Sequence, residues 1–355
     1  MTCTHDRVAY SRNAMHRTLA LGSTRGTGQR AALSICSAVL CAMGTWACGN
    51  ESPVTVLRLA HGLDTRHPVH RALVGMADDL EARSEGALQV VIYPAEQLGN
   101  EREALELLQL GSLDLTKVSA AVLEGFAPAF VVTGVPYLFR DEAHRHAFFD
   151  HAVGERLLRE TDPLRLHALV YFDAGARSFY TRDRPASHPD ALAGLRIRTQ
   201  ESPAAVALVR NLGAAATPIA WGELYTALQQ GVVDGAENNP PSYYSSRHYE
   251  VAPYFVLDEH TAVPDVLLVS GETWSHLSGE QRQWLEESAR AASMEQRRLW
   301  REASETAIAA LGNEGVEILV PDRRPFAERL ASLRESYRQR PELRDWIDAI
   351  GGVQP

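Results

Sequence analysis

Leu108-Gln109-Leu110-Gly111-Ser112-Leu113-Asp114 returns later in the chain as Leu228-Gln229-Gln230-Gly231-Val232-Val233-Asp234, with four identities in seven positions. Each copy closes an amphipathic helical stretch, Glu101 to Leu110 in the first and Glu223 to Gln230 in the second. Each then leads into a short strand, and the glycine falls where a helix commonly ends on a left-handed residue. Two equivalent helix–strand units so far apart predict two similar lobes.

The flanking sequence supports this. Val54 to Ala60 reads as a β-branched strand, and Pro68 opens a helix at a position where its missing N–H costs nothing. Val69, Leu73, Met76 and Leu80 then recur at helical spacing until Gly86. Strand and helix alternate through Leu88 to Tyr93, Leu113 to Val118, Leu166 to Phe172, Leu195 to Arg198 and Pro203 to Leu212. This predicts α/β layers with mainly parallel strands. Ser278 to Leu311 reads as one long charged helix able to bridge both lobes. Val316 to Val320 reads as a strand and Pro325 to Ile350 as helical.

The 355 residues are 45% apolar and carry a net charge of −10, with no basic run. That composition suits two ordinary domains and disfavours nucleic acid or an anionic lipid surface as partner. All four cysteines, Cys3, Cys36, Cys41 and Cys48, lie in the first 48 residues, so the body of the chain has no disulfide framework or cysteine chemistry. Residues 1–48 combine arginines, a mostly apolar run from Ala31 to Met43, and Thr45-Trp46-Ala47-Cys48-Gly49. They read as a signal peptide, with Met1 or Met15 as the start. Cleavage leaves either an ordinary cut or a lipidated Cys48; in the second case the mature protein is peripheral to a membrane. A periplasmic location follows.

No serine-nucleophile elbow, metalloprotease helix, phosphate loop or dinucleotide fingerprint occurs, so no enzyme, metal site or cofactor is expected. The informative residues are polar groups set in apolar segments. Arg177 follows Asp173-Ala-Gly-Ala176, and Arg198 ends Leu195-Arg-Ile-Arg198. The planar fork of arginine suits a carboxylate, or equally a structural ion pair. Lys117 is the single lysine beside 34 arginines and sits inside a short apolar strand. Its compact ammonium suits hydroxyls or a carboxylate edge. Asn238 and Asn239 precede Pro240-Pro241 and present paired amides on a turn, and Trp221 can floor a sugar-sized pocket. Asp258-Glu259-His260 reads as a solvated turn or an interdomain hydrogen bond.

Several motifs carry a family resemblance: Tyr93-Pro-Ala-Glu-Gln-Leu-Gly99, Gly111-Ser-Leu-Asp114, Leu195-Arg-Ile-Arg198, Pro218-Ile-Ala-Trp-Gly-Glu-Leu-Tyr225 and Val233-Asp-Gly-Ala-Glu-Asn238. From Val54 to about Leu330 the chain resembles the solute-binding subunit of tripartite ATP-independent periplasmic (TRAP) transporters, the DctP family. The resemblance implies a two-lobed periplasmic binding protein fold, type II-like, with a ligand cleft between hinged lobes. Lobe I is expected over 53–174 plus about 263–303, and lobe II over 175–262 plus about 304–355. The resemblance places the carboxylate-fixing arginine at Arg198, a second at Arg177, the carboxylate-holding amide at Asn238 and the aromatic at Trp221. It puts further ligand positions at His61 and near Ser119. Lys117, Asn239, Glu237 and His67 complete the expected ligand-binding set.

Tyr171-Phe-Asp-Ala-Gly-Ala-Arg177, Ala236-Glu-Asn-Asn-Pro240 and Ser246-Arg-His-Tyr-Glu250 are similar to the branch associated with hexuronates such as glucuronate and galacturonate. The implied partners are a small organic acid and the TRAP permease subunits, and a monomer is expected. Two alternatives stay open. One is a C4-dicarboxylate or another sugar acid, with Lys117 or His61 as the second cation. The other is a sensor that reports its ligand to a membrane kinase.

Overall fold

The computed structural model describes residues 54–355. The signal peptide reading of 1–48 and the Cys48 lipidation site lie outside these residues.

The chain begins with β1 (Thr55–His61), α1 (Pro68–Arg83), β2 (Leu88–Tyr93), α2 (Glu101–Gln109), β3 (Leu115–Ser119) and α3 (Ala120–Leu123). Next come α4 (Glu142–Asp150), α5 (Ala152–Arg159) and β4 (Leu166–Phe172). The chain then crosses to the second lobe, which contains β5 (Arg177–Thr181), β6 (Arg196–Thr199), α6 (Pro203–Asn211), β7 (Ala215–Pro218), α7 (Leu224–Gln229), β8 (Gly235–Asn238), α8 (Pro240–Ser245) and β9 (Tyr254–Thr261). It returns as β10 (Asp265–Ser270) and α9 (Gly271–His276), then runs through α10 (Gly279–Asn313), β11 (Glu317–Leu319), α11 (Arg324–Arg329), α12 (Ala331–Arg338) and α13 (Pro341–Gly352).

The strands form two sheets, ordered β2-β1-β3-β10-β4 and β11-β9-β5-β8-β6-β7. Pairing within the helix-linked units is parallel, as expected, for β1 with β2 and β3 and for β6 with β7 and β8. The strands that enter or leave a lobe depart from the expected parallel arrangement. β10 runs antiparallel to β3 and β4, and β5 antiparallel to β8 and β9. A parallel neighbour needs a return crossover on the same sheet, and these strands come directly from the other lobe.

The repeated motif now has a physical cause. Gly111 and Gly231 adopt φ of +70° and +71°, ending α2 and α7 alike. The aspartate that follows accepts from an arginine on the parallel strand beside it. Asp114 Oδ2 receives the Arg58 backbone N–H and Nε, both at 2.9 Å. Asp234 Oδ2 receives the same two groups of Arg196 at 2.8 and 3.0 Å. Arg196 is therefore an exposed structural partner.

Val69, Leu73, Met76 and Leu80 are fully buried in a cluster with β1 and α10 residues such as Leu57, Leu285 and Ala289. The long helix α10 spans 35 residues from the Ser278 cap and packs on α1 and β4 of one lobe and on α8 and β11 of the other. The last helix departs from the expected lobe II segment. α13 packs on α5 and on the 128–134 turn of lobe I. Arg140 Nη1 and Nη2 donate to the Gly351 and Val353 carbonyls at 3.0 and 2.9 Å, and His144 Nε2 meets the Ile350 carbonyl at 2.9 Å. Hydrogen bonds to this backbone outweigh proximity in sequence.

Behind the cleft, Glu124 at the end of α3 reaches the start of α6. Its Oε2 accepts from Ser202 Oγ at 2.8 Å and Ala204 N at 3.0 Å, while Oε1 is buried without a partner. Burial pushes its pKa up to about 8, against the pull of those two donors. The folded state therefore holds a proton that the unfolded chain releases near 4.5. The contribution of Glu124 to stability is full below about pH 4.5, falls as pH rises to about 8 and stays flat above. Denaturant titrations of Glu124→Gln should lack this decline; identical pH profiles for variant and wild type would contradict the assignment.

Candidate ligand cleft

The carboxyl ends of β1, β3, β6 and β8 point toward one cleft between the two sheets. This is the region where open α/β sheets bind ligands. Lobe I contributes His67, Glu96, Glu101, Lys117, Ser119 and Asp265 to the wall. Lobe II contributes Arg177, Arg198, Gln200, Trp221 and the amides of Asn238 and Asn239, and Trp300 of α10 closes the back.

Arg198 is 3% exposed at the end of β6. Its Nε donates to the Ile219 carbonyl at 2.8 Å, which fixes the plane of the guanidinium. Its Nη1 is buried without a partner, and its Cζ lies 5.9 Å from the centre of the Trp221 ring. Burial lowers its pKa because no carboxylate is paired with it. Arginine stays charged regardless, so the group is a buried cation with unused donors.

Arg177 is equally buried but differently satisfied. Nε and Nη2 pair with the Glu237 carboxylate, Nη2 also donates to the Glu237 carbonyl at 2.8 Å, and Nη1 donates to Asn238 Oδ1 at 3.0 Å. Burial opposes its charge, but the Glu237 carboxylate outweighs this and raises its pKa. One of its five N–H groups remains for a ligand. Glu237 lies behind the wall, and its pKa falls to about 2 because Arg177 and His260 outweigh its burial. His260 Nδ1 pairs with Asp258 at 2.8 Å, and this residue and Asp258 are fully buried. Asp258 and His260 thus form a buried charge cluster bracing Glu237, which overturns the solvated turn, while the alternative of an interdomain hydrogen bond is present: Tyr137 N of lobe I donates to the His260 carbonyl at 2.9 Å. His260 is held protonated: burial works against the charge, but Asp258 and Glu237 raise its pKa to about 9.

Lys117 lines the cleft, but its ammonium bonds Glu101 Oε1 and Asp265 Oδ2, both at 3.1 Å. The two carboxylates outweigh its burial and raise its pKa. Ser119 N also donates to Glu101 Oε1 at 3.1 Å. Asn238 Oδ1 accepts from Arg177 and from Asn239 N and Nδ2, so its Nδ2 is the end still able to donate. Asn239 Oδ1 caps α8 through Ser242 N at 2.8 Å.

Two histidines exchange the expected emphasis. His61 is absent from the cleft wall. Its Nδ1 accepts from Leu63 N at 3.1 Å and its Nε2 meets His70 Nδ1 at 3.0 Å, so the ring turns away toward α1. Burial, with Lys117 and His70, lowers its pKa to about 3, so it supplies no positive charge. His67 does line the cleft. It caps α1 through Val69 N at 3.2 Å and meets Ser242 Oγ of lobe II at 3.2 Å.

Glu101, Asp265, Glu96 and Gln200 were not among the expected residues. Asp265 had a signal: a lone acid opening the wholly apolar Val266-Leu-Leu-Val269. Glu101 had a weaker one, following the Asn100 helix cap.

Residues 59–340 match the family described as bacterial extracellular solute-binding protein, family 7 (DctP). A solute-binding protein of Chromohalobacter salexigens is 34% identical over 290 residues, covering 81% of this chain and 86% of its own. A solved TRAP periplasmic solute-binding protein from Xanthobacter autotrophicus Py2, with bound β-D-galacturonate, superposes with a TM-score of 0.81 at 34% identity, over 84% of this chain and 100% of that one. Another from Pseudomonas putida F1, with bound D-glucuronate, gives 0.82 at 32% identity, over 85% and 98%. The chain belongs to the DctP family of bacterial extracellular solute-binding proteins, the binding proteins of TRAP transporters, which are receptors and not enzymes.

Proposed function

We propose that this protein is the periplasmic receptor that captures a hexuronate, of the glucuronate or galacturonate kind, and hands it to a TRAP permease. The observation that carries this reading is the charge arrangement of the cleft. Among the described residues, Arg198 is the one cation in the wall without a carboxylate partner; Arg102, Lys117 and Arg177 each have one. The remaining charged groups around Lys117 are acceptors, Glu101 and Asp265. Such a site fits a ligand with one acid group at the Arg198 end and neutral hydroxyls at the other.

A C4-dicarboxylate fits poorly. Its second acid would face carboxylates, because Lys117 is already neutralised and His61 is uncharged and turned away. The hexuronates bound by the Xanthobacter and Pseudomonas relatives support the same choice.

In this reading the ligand carboxylate takes the free Nη donors of Arg198, the last N–H of Arg177 and Nδ2 of Asn238. The sugar hydroxyls donate to Glu101 and Asp265. Water is excluded as the lobes close, which strengthens each charged contact. Cross-lobe bonds such as Arg66 Nη2 to the Ser245 carbonyl at 3.0 Å help to hold the closed form, and the permease reads that form. No covalent bond is made or broken.

Calorimetric titration tests this directly. Glucuronate or galacturonate should bind, and succinate should bind at least about tenfold more weakly. Succinate binding as tightly as both hexuronates would overturn the assignment. Arg198→Ala should lose about 2–5 kcal/mol of binding while the ligand-free protein melts close to wild type; retained affinity would remove Arg198 as the anchor. Asp265→Asn combined with Glu101→Gln releases the charge of Lys117 and should shift selectivity toward succinate, measured as the ratio of the two dissociation constants.

A further inference from the structure

The loop between β2 and α2 holds two successive non-glycine residues in the left-handed region, Ala95 at φ +53° and Glu96 at φ +58°. Each costs free energy and persists only when its surroundings enforce it. Here the enforcement comes from the end of β1: Ala95 N donates to the Leu63 carbonyl at 3.0 Å and Glu96 N to the His61 carbonyl at 3.2 Å. The strained backbone carries the Glu96 side chain past Gly62 and across to lobe II, where Oε2 accepts from Gly222 N at 3.2 Å. Gly222 leaves room for this contact, since a Cβ there would stand 2.4 Å from Oε2.

The other oxygen is the unexplained one. Glu96 lines the cleft, yet its Oε1 is buried and has no hydrogen-bond partner among the described residues. Glu201 of the wall is exposed, and the other buried and half-buried carboxylates around the cleft have donors: Lys117 for Glu101 and Asp265, Arg177 for Glu237. A buried acceptor left unpaired is costly, and a ligand donor removes that cost.

We propose that Glu96 is a specificity-determining residue: Oε1 accepts a ligand hydroxyl while Oε2 keeps its hold on Gly222 of the opposite lobe. This rests on reading the cleft as a closing sugar-acid site. One carboxylate then joins lobe I, lobe II and the ligand, so the protein gains from closing on a guest that presents a hydroxyl there. A guest lacking that hydroxyl leaves the oxygen unpaired. A guest with a second acid group brings like charge against it.

The test is a double-mutant cycle by calorimetry. Wild type, Glu96→Gln and Glu96→Ala are titrated with glucuronate and with its monodeoxy analogues, after circular dichroism melts confirm folding. Glu96→Ala should bind glucuronate about tenfold or more weakly. One monodeoxy analogue should show a comparable loss with wild type but little further loss with Glu96→Ala. If every analogue carries the same penalty in wild type and variant, Glu96 acts only as a strut between lobes and the proposal is overturned, while the hexuronate assignment stands. If wild type binds no hexuronate, that assignment fails and the Glu96 role fails with it.

Discussion

A guanidinium buried at the floor of a cleft, held in orientation by one backbone carbonyl and left with unspent donors, is the constraint from which the function follows. Burying such a charge is expensive unless something completes it. The chain completes Arg177 internally through Glu237 but leaves Arg198 to be completed from outside. The two arginines respond in opposite directions: Glu237 raises the pKa of the first, and burial lowers that of the second. One is part of the wall, the other a socket.

The rest of the architecture holds that socket in register. The paired Asp–Arg contacts that follow α2 and α7 fix the parallel strands whose ends carry Lys117 and Arg198. Reaching back from Arg177 in the wall, the Arg177–Glu237–His260–Asp258 chain is buried and charge-balanced, so it braces the ligand side without adding net charge to it. Opposite, the Lys117 triad supplies acceptors in place of a second positive end. Rigid charge placement on both lobes, joined by α10 and two short crossings, lets closure add contacts from both sides at once.

Much of this was legible in the sequence because it depends on local pattern. The α1 stripe, the glycine-ended helices and the long α10 follow from periodicity and capping. Arg198, Arg177, Lys117 and Asn238 stood out because each interrupts an apolar or small-residue segment. What the sequence could not reveal is who pairs with whom. The partners of Lys117 lie 16 and 148 positions away, and only the β3–β10 pairing brings Asp265 opposite Ser119. His61 misled for a related reason. Its position at the end of β1 suggests the cleft, but the Leu63 N–H and His70 turn its ring the other way. The placement of α13 on lobe I likewise depends on carbonyls that only the folded chain presents to Arg140 and His144.

The most direct measurement is a crystal structure of the protein with glucuronate or galacturonate bound. The ligand carboxylate should lie within hydrogen-bond distance of Arg198 Nη1, over the Trp221 ring, with the sugar hydroxyls toward Glu101 and Asp265. A ligand whose acid group lies at the Lys117 end, with Arg198 still unpaired, would contradict it.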